Sequence, residues 1–113
     1  MDFAARESQR IDSENFVSYN MFDDQGRITL SGIATTIDIS RTGMALKSKD
    51  EMIPGAKIEL TIGVGDDIVK VNGLIRNQTS IADTPAFAIG IEFDFVSHEA
   101  LDKLALIYPD ILK

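Results

Sequence analysis

Arg6 and Arg10, spaced as R-x-x-x-R, and Asp38, Ser40 and Gly43, spaced as D-x-S-x-x-G, are the residues whose types and spacing could do chemistry. A guanidinium is planar and permanently charged. It can hold a phosphate, stack on a purine face, or donate to the paired O6 and N7 acceptors of guanine. A carboxylate such as that of Asp38 accepts from guanine N1–H and its amino group, and a hydroxyl such as that of Ser40 completes the hydrogen bonding. The two motifs together point to a guanine-reading ligand site. With five arginines, 12 aspartates, eight serines and eight glycines in the chain, composition alone yields R-x-x-x-R about 0.2 times and D-x-S-x-x-G about 0.06 times, or roughly 1 in 100 for both. Either motif alone would be weak; their order, and a strand under the second, strengthen the pair.

Such residues need a frame, and from Asn15 onward the chain reads as short alternating strands separated by turn residues. Asn15 to Phe22 forms the first strand. Asp23-Asp24-Gln25-Gly26 is turn chemistry, and Arg27 to Ile39 returns as a long second strand, making a hairpin. In that strand Ile33, Thr35, Ile37 and Ile39 are expected on the core face, with Thr36, Asp38 and Ser40 pointing outward. Gly43 falls at a tight connection before a strand over Met44 to Ser48.

Pro54-Gly55 marks the next turn. Ala56, Ile58, Leu60, Ile62 and Val64 then alternate cleanly with polar or small residues, and Ile68 to Asn77 pairs back with Val69, Val71 and Ile75 inward. Phe87, Ile89, Ile91, Phe93 and Phe95 form one more apolar face. Ser97 caps a short C-terminal helix whose stripe is Leu101, Leu104, Ala105 and Tyr108, ended by Pro109. The count is six strands and one helix, a mainly β chain folded as a small antiparallel barrel. Residues 1–14 are polar and read as a flexible N-terminal arm carrying both arginines, and 15–113 as the single barrel domain.

Composition bounds the partners. The 113 residues suit one domain with one core, and the 44% hydrophobic fraction argues against disorder. A net charge of −7 opposes loose attraction to DNA, RNA or an anionic membrane surface. It still permits an anionic small ligand held by a few fixed guanidinium groups. No stretch reaches the length of a membrane span, and Met1 to Arg6 lacks a basic segment followed by an apolar run, so the expectation is a cytoplasmic protein without membrane insertion. With no cysteine, there is no thiol nucleophile, thiolate metal site or disulfide framework.

The chain resembles the PilZ domain family. The resemblance rests on the two motifs, on Gly73-Leu74-Ile75-Arg76, on Ala88-Ile89-Gly90-Ile91-Glu92-Phe93 and on the terminal helix. It implies a six-stranded antiparallel barrel, with the arginine arm wrapping cyclic di-GMP against its outer face. Residue by residue, it implies that Arg6, Arg10, Asp38, Ser40 and Gly43 bind that ligand. It also implies a stand-alone receptor that changes conformation on binding and signals through a separate effector protein, with no cofactor and no catalysis.

Other readings stand beside these. Ser40 could serve only to bond the corner leading to Gly43, and Gly43 could be there only for backbone geometry. Arg41 and Arg76 read as solvated surface residues. His98 falls at a helix start without a triad or metal partners, and no phosphate-cradling loop or metal motif accompanies the carboxylates, which argues against an enzyme. The alternative function is a PilZ-like protein-interaction barrel without nucleotide affinity.

Overall fold

Successive hairpins build the molecule, and the computed structural model describes residues 16–112 of it. Arg6 and Arg10 lie outside the described residues. The strands are β1 (Phe16–Phe22), β2 (Ile28–Ile39), β3 (Gly43–Ser48), β4 (Lys57–Val64), β5 (Asp67–Ser80) and β6 (Phe87–Phe93). All pairings are antiparallel, and the order β1-β2-β3-β6-β5-β4 closes into a barrel. Closure gives each strand a hydrogen-bonded neighbour on both sides over part of its length, so no strand is an edge strand throughout.

Alternation fills the interior. Val17, Tyr19 and Met21 of β1, Ile58, Leu60 and Ile62 of β4, and Ile89 and Ile91 of β6 are all at most 5% exposed. Each such aliphatic side chain contributes about 1.5–3 kcal/mol on burial. The first hairpin turns where expected: Gly26 adopts φ +78°, and Asp23 Oδ1 accepts from the backbone N–H of Gln25 and Arg27, both at 2.9 Å.

Ser97 caps α1 (His98–Leu104) by accepting from Ala100 N at 3.1 Å. Leu104 is fully buried in the barrel core, and Lys103 Nζ reaches Asp67 Oδ2 at 2.9 Å, tying the helix to the start of β5. The helix ends at Leu104, not at Pro109. That proline instead opens a 3₁₀ helix (Pro109–Leu112) which delivers Ile111 to the same core, because a proline needs no N–H partner in a first turn.

Two β-bulges change the expected faces. Between Thr36 and Asp38 the β2–β3 register shifts, leaving Ile37 as the extra residue. Between Ile75 and Asn77 the β5–β6 register shifts, leaving Arg76 as the extra residue. Ile33 and Ile37, expected in the core, are 68% and 53% exposed. Thr36, expected outside, is opposite the buried Leu46 and its hydroxyl is buried. Ala34 fills the inner position in the middle of β2, and of the three isoleucines expected inside only Ile39 packs against the core. Phe95 is likewise not core; it is 86% exposed, since β6 stops at Phe93 and the chain leaves the barrel before alternation can bury it.

Candidate functional site

Residues inside the barrel on β2 alternate as Ala34 and Thr36, so an unbroken strand would aim Asp38 into the core. The bulge at Ile37 reverses that parity. Asp38 then pairs with Ala45 and is exposed, while Ile39 pairs with the buried Met44 and turns inward. The same device operates on β5. Ile75 is buried, and without the bulge at Arg76 the next inward position would be Asn77; with it, Arg76 and Asn77 are both exposed. A bulge re-aims side chains in this way and recurs beside functional sites.

The two re-aimed residues lie in one row across the outer face. Asp38 pairs with Ala45, Ala45 with Gly90, and Gly90 with Asn77. Three inter-strand steps of about 4.8 Å separate the ends by roughly 14 Å along the sheet. The small residues between them form a low floor. At Gly90 a Cβ would sit 2.6 Å from Asn77 Oδ1, so the Asn77 amide lies directly over it and would have to swing aside for any larger residue.

The corner after Asp38 is held by Ser40. Its N–H donates to Gly43 O at 2.8 Å, and its Oγ accepts from Thr42 N at 3.3 Å while lying 3.3 Å from Thr42 Oγ1. The turn-bonding role is therefore present, on a residue that is also exposed. Gly43 opens β3 opposite Glu92, and a Cβ on it would overlap the carbonyl oxygen of Ile91. Close backbone approach, not a left-handed φ, demands glycine at this position.

Next to that corner is an open depression of about 300 Å³, lined by Thr42, Gly43, Arg76, Asn77, Gly90 and Glu92 among others. Arg76 Nε and Nη2 both contact Glu92 Oε1. Three of the five expected site residues are thus gathered on one stretch of outer surface, and one of them, Gly43, reaches into the depression. Arg76 was expected to be a solvated bystander, and Asn77 and Glu92 carried no sequence signal of their own. Alanine and glycine at the outward positions Ala45, Ala88 and Gly90 were the available hint that this face is kept low. His98 is exposed at the first turn of α1.

A family model described as PilZ domain matches residues 5–108. No curated protein matches the chain. Among solved structures it is similar to MrkH of K. pneumonia in a P2(1) crystal, at 16% identity and TM-score 0.62, covering 87% of this chain and 45% of that one. It is also similar to MrkH in its apo state, at 16% identity and TM-score 0.63, covering 96% and 52% respectively. The chain spans about half the length of those structures, and the likeness is one of fold.

Proposed function

The chain belongs to the PilZ domain family, and on that premise we propose that it is a receptor for cyclic di-GMP, binding the dinucleotide on the outer face of the barrel without turning it over. The observation that carries this reading is the bulge at Ile37, which turns Asp38 from the core parity to the surface beside the Ser40–Gly43 corner. A carboxylate re-aimed at a local cost in pairing implies a use outside the core. Residues 1–14 act as the arm that brings Arg6 and Arg10 to the ligand, and 15–113 as the barrel that receives it. Arginine supplies the guanine O6 and N7 contacts and the phosphate charge; Asp38 takes N1–H and the amino group.

Closing of the arm on the ligand is the signal, read by a downstream effector protein, because ordering a segment creates or hides a surface when the ligand favours that arrangement. The setting for this is the cytoplasm, where a second messenger circulates. No helix among the described residues is long and apolar enough to cross a membrane.

Isothermal titration of the purified chain with cyclic di-GMP tests the proposal, with GTP and the Arg6→Ala, Arg10→Ala double variant as controls. Selective, saturable binding that is lost in the folded variant is expected. Absence of heat and of any ligand-induced spectral change would reject it. The second reading, an interaction barrel without nucleotide affinity, draws on Phe95 and Leu106, which are 86% and 77% exposed on either side of α1. Partner capture that is indifferent to cyclic di-GMP would favour it.

A further inference from the structure

We propose that the depression between β3, β6 and β5 is a base subsite in which the Arg76–Glu92 pair reads the Watson–Crick edge of a guanine. This inference rests on the receptor reading and gives the second base of the dinucleotide a place on the row that begins at Asp38.

Charge decides between base and phosphate. Arg76 and Glu92 are in direct contact, so their charges cancel locally, and a phosphate entering here would meet a carboxylate. A neutral heterocycle meets no such opposition. Hydrogen-bonding capacity then selects guanine. Both contacts from Arg76 fall on Glu92 Oε1, which leaves Oε2 outside the pair and able to accept. Guanine presents O6, N1–H and the amino group side by side, an acceptor followed by two donors. A guanidinium beside a carboxylate offers the complementary order, a donor followed by acceptors. Adenine presents an acceptor at N1 and would face the carboxylate with a lone pair.

Shape agrees with this. The depression, about 300 Å³, has room for one purine and is open to solvent above it. Gly43 and Gly90 carry no Cβ into its floor, and Asn77, over Gly90, offers an amide able to donate and accept. The bulge at Arg76 places Arg76 and Asn77 on the same side, which a regular strand could not do.

The experiment is calorimetric titration of the full chain and of Glu92→Gln with cyclic di-GMP, with cyclic di-IMP, whose bases lack the 2-amino group, and with cyclic di-AMP. Glu92 is half exposed, and an exposed pair adds little to stability, so the variant is expected to melt with the parent. Expected is a loss of cyclic di-GMP affinity of roughly tenfold and a narrower preference over cyclic di-IMP, since one of two guanines is no longer read by a carboxylate. Arg76→Gln is the second variant and should narrow the same preference, because Glu92 loses the cation that holds it. Unchanged affinity in Glu92→Gln would overturn the subsite. Tighter binding would overturn it too, by marking Glu92 as a mask over a phosphate-binding Arg76. A parent chain that binds no cyclic dinucleotide would overturn the receptor reading itself, an outcome distinct from binding that ignores Glu92.

Discussion

Asp38, Ser40 and Gly43 belong to one motif but answer to different physics, and substitution separates them. Asp38 is exposed and lies outside the core, so Asp38→Ala should weaken cyclic di-GMP while leaving the melting temperature in place; intact affinity together with a large thermal loss would contradict its role. Arg10→Ala should weaken binding by about 1–3 kcal/mol, or roughly 5- to 150-fold, in calorimetry. Gly43→Ala behaves differently. The added methyl meets the Ile91 carbonyl, a backbone atom that cannot swing aside, and overpacking of this kind costs about 1–3 kcal/mol. The expected result is a lower unfolding midpoint in denaturant as well as weaker binding. A variant as stable as the parent would return Gly43 to a role in ligand contact alone. Ser40 was readable from its type and place as either corner or ligand residue; its bonds to Thr42 and Gly43 establish the corner, and a ligand would have to share or displace the contacts of 3.3–3.4 Å that its exposed hydroxyl makes there.

Strands, hairpins and the Ser97 cap were legible because each has a local cause: period-two alternation in β4, a glycine at positive φ after Asp23, a hydroxyl three residues before an orphan N–H. The bulges were not, because nothing in Thr36-Ile37-Asp38 or Ile75-Arg76-Asn77 announces an extra residue. Register is settled by the neighbouring strand. Hence Asp38 was aimed correctly but for a reason that failed, with Ile33 and Ile37 assigned to a core they do not enter. Hence also nothing in the sequence gathered Arg76, Asn77 and Glu92 beside the Ser40–Gly43 corner, although Arg76 is exposed as its type suggests. One product of the first bulge is open to test. Thr36 Oγ1 and Tyr108 OH, on β2 and on the segment that follows α1, face each other and are both buried without a hydrogen bond of acceptable geometry among the described residues. Unpaired hydroxyls in a core are costly, and replacing both with apolar groups of the same shape removes the cost. The Thr36→Val, Tyr108→Phe double variant should therefore melt at or above the parent temperature. A fall of several degrees would mean that the two hydroxyls bond each other in solution and clasp the C-terminal segment to the bulged strand.

At the scale of the whole molecule, the closed barrel puts polar groups into places where only the neutral form is comfortable, and this makes stability depend on pH at the alkaline end. Tyr19 is 2% exposed, and its hydroxyl donates to Asp50 Oδ2 at 2.5 Å. Burial first, and the bond to a carboxylate second, push its pKa from 10.0 up to about 12. Burial also raises Tyr108. These are the only two tyrosines in the chain, so tyrosinate absorbance reports on them alone. Well below pH 10 both are protonated whether the chain is folded or not, and their contribution to stability is complete. Above it, the unfolded chain releases its tyrosine protons first while the folded chain keeps them, so stability falls until the folded pKa is passed. Tyr19, with the larger shift, supplies the greater share of this dependence. Denaturant midpoints measured from about pH 9 upward should decline across that window, with tyrosinate absorbance in the folded protein rising late. Tyr19→Phe should flatten most of the decline, even though it starts from lower stability because the Asp50 carboxylate loses its donor. An unchanged slope in that variant would shift the alkaline sensitivity to Tyr108, and so from the interior of the barrel to the segment that closes its end.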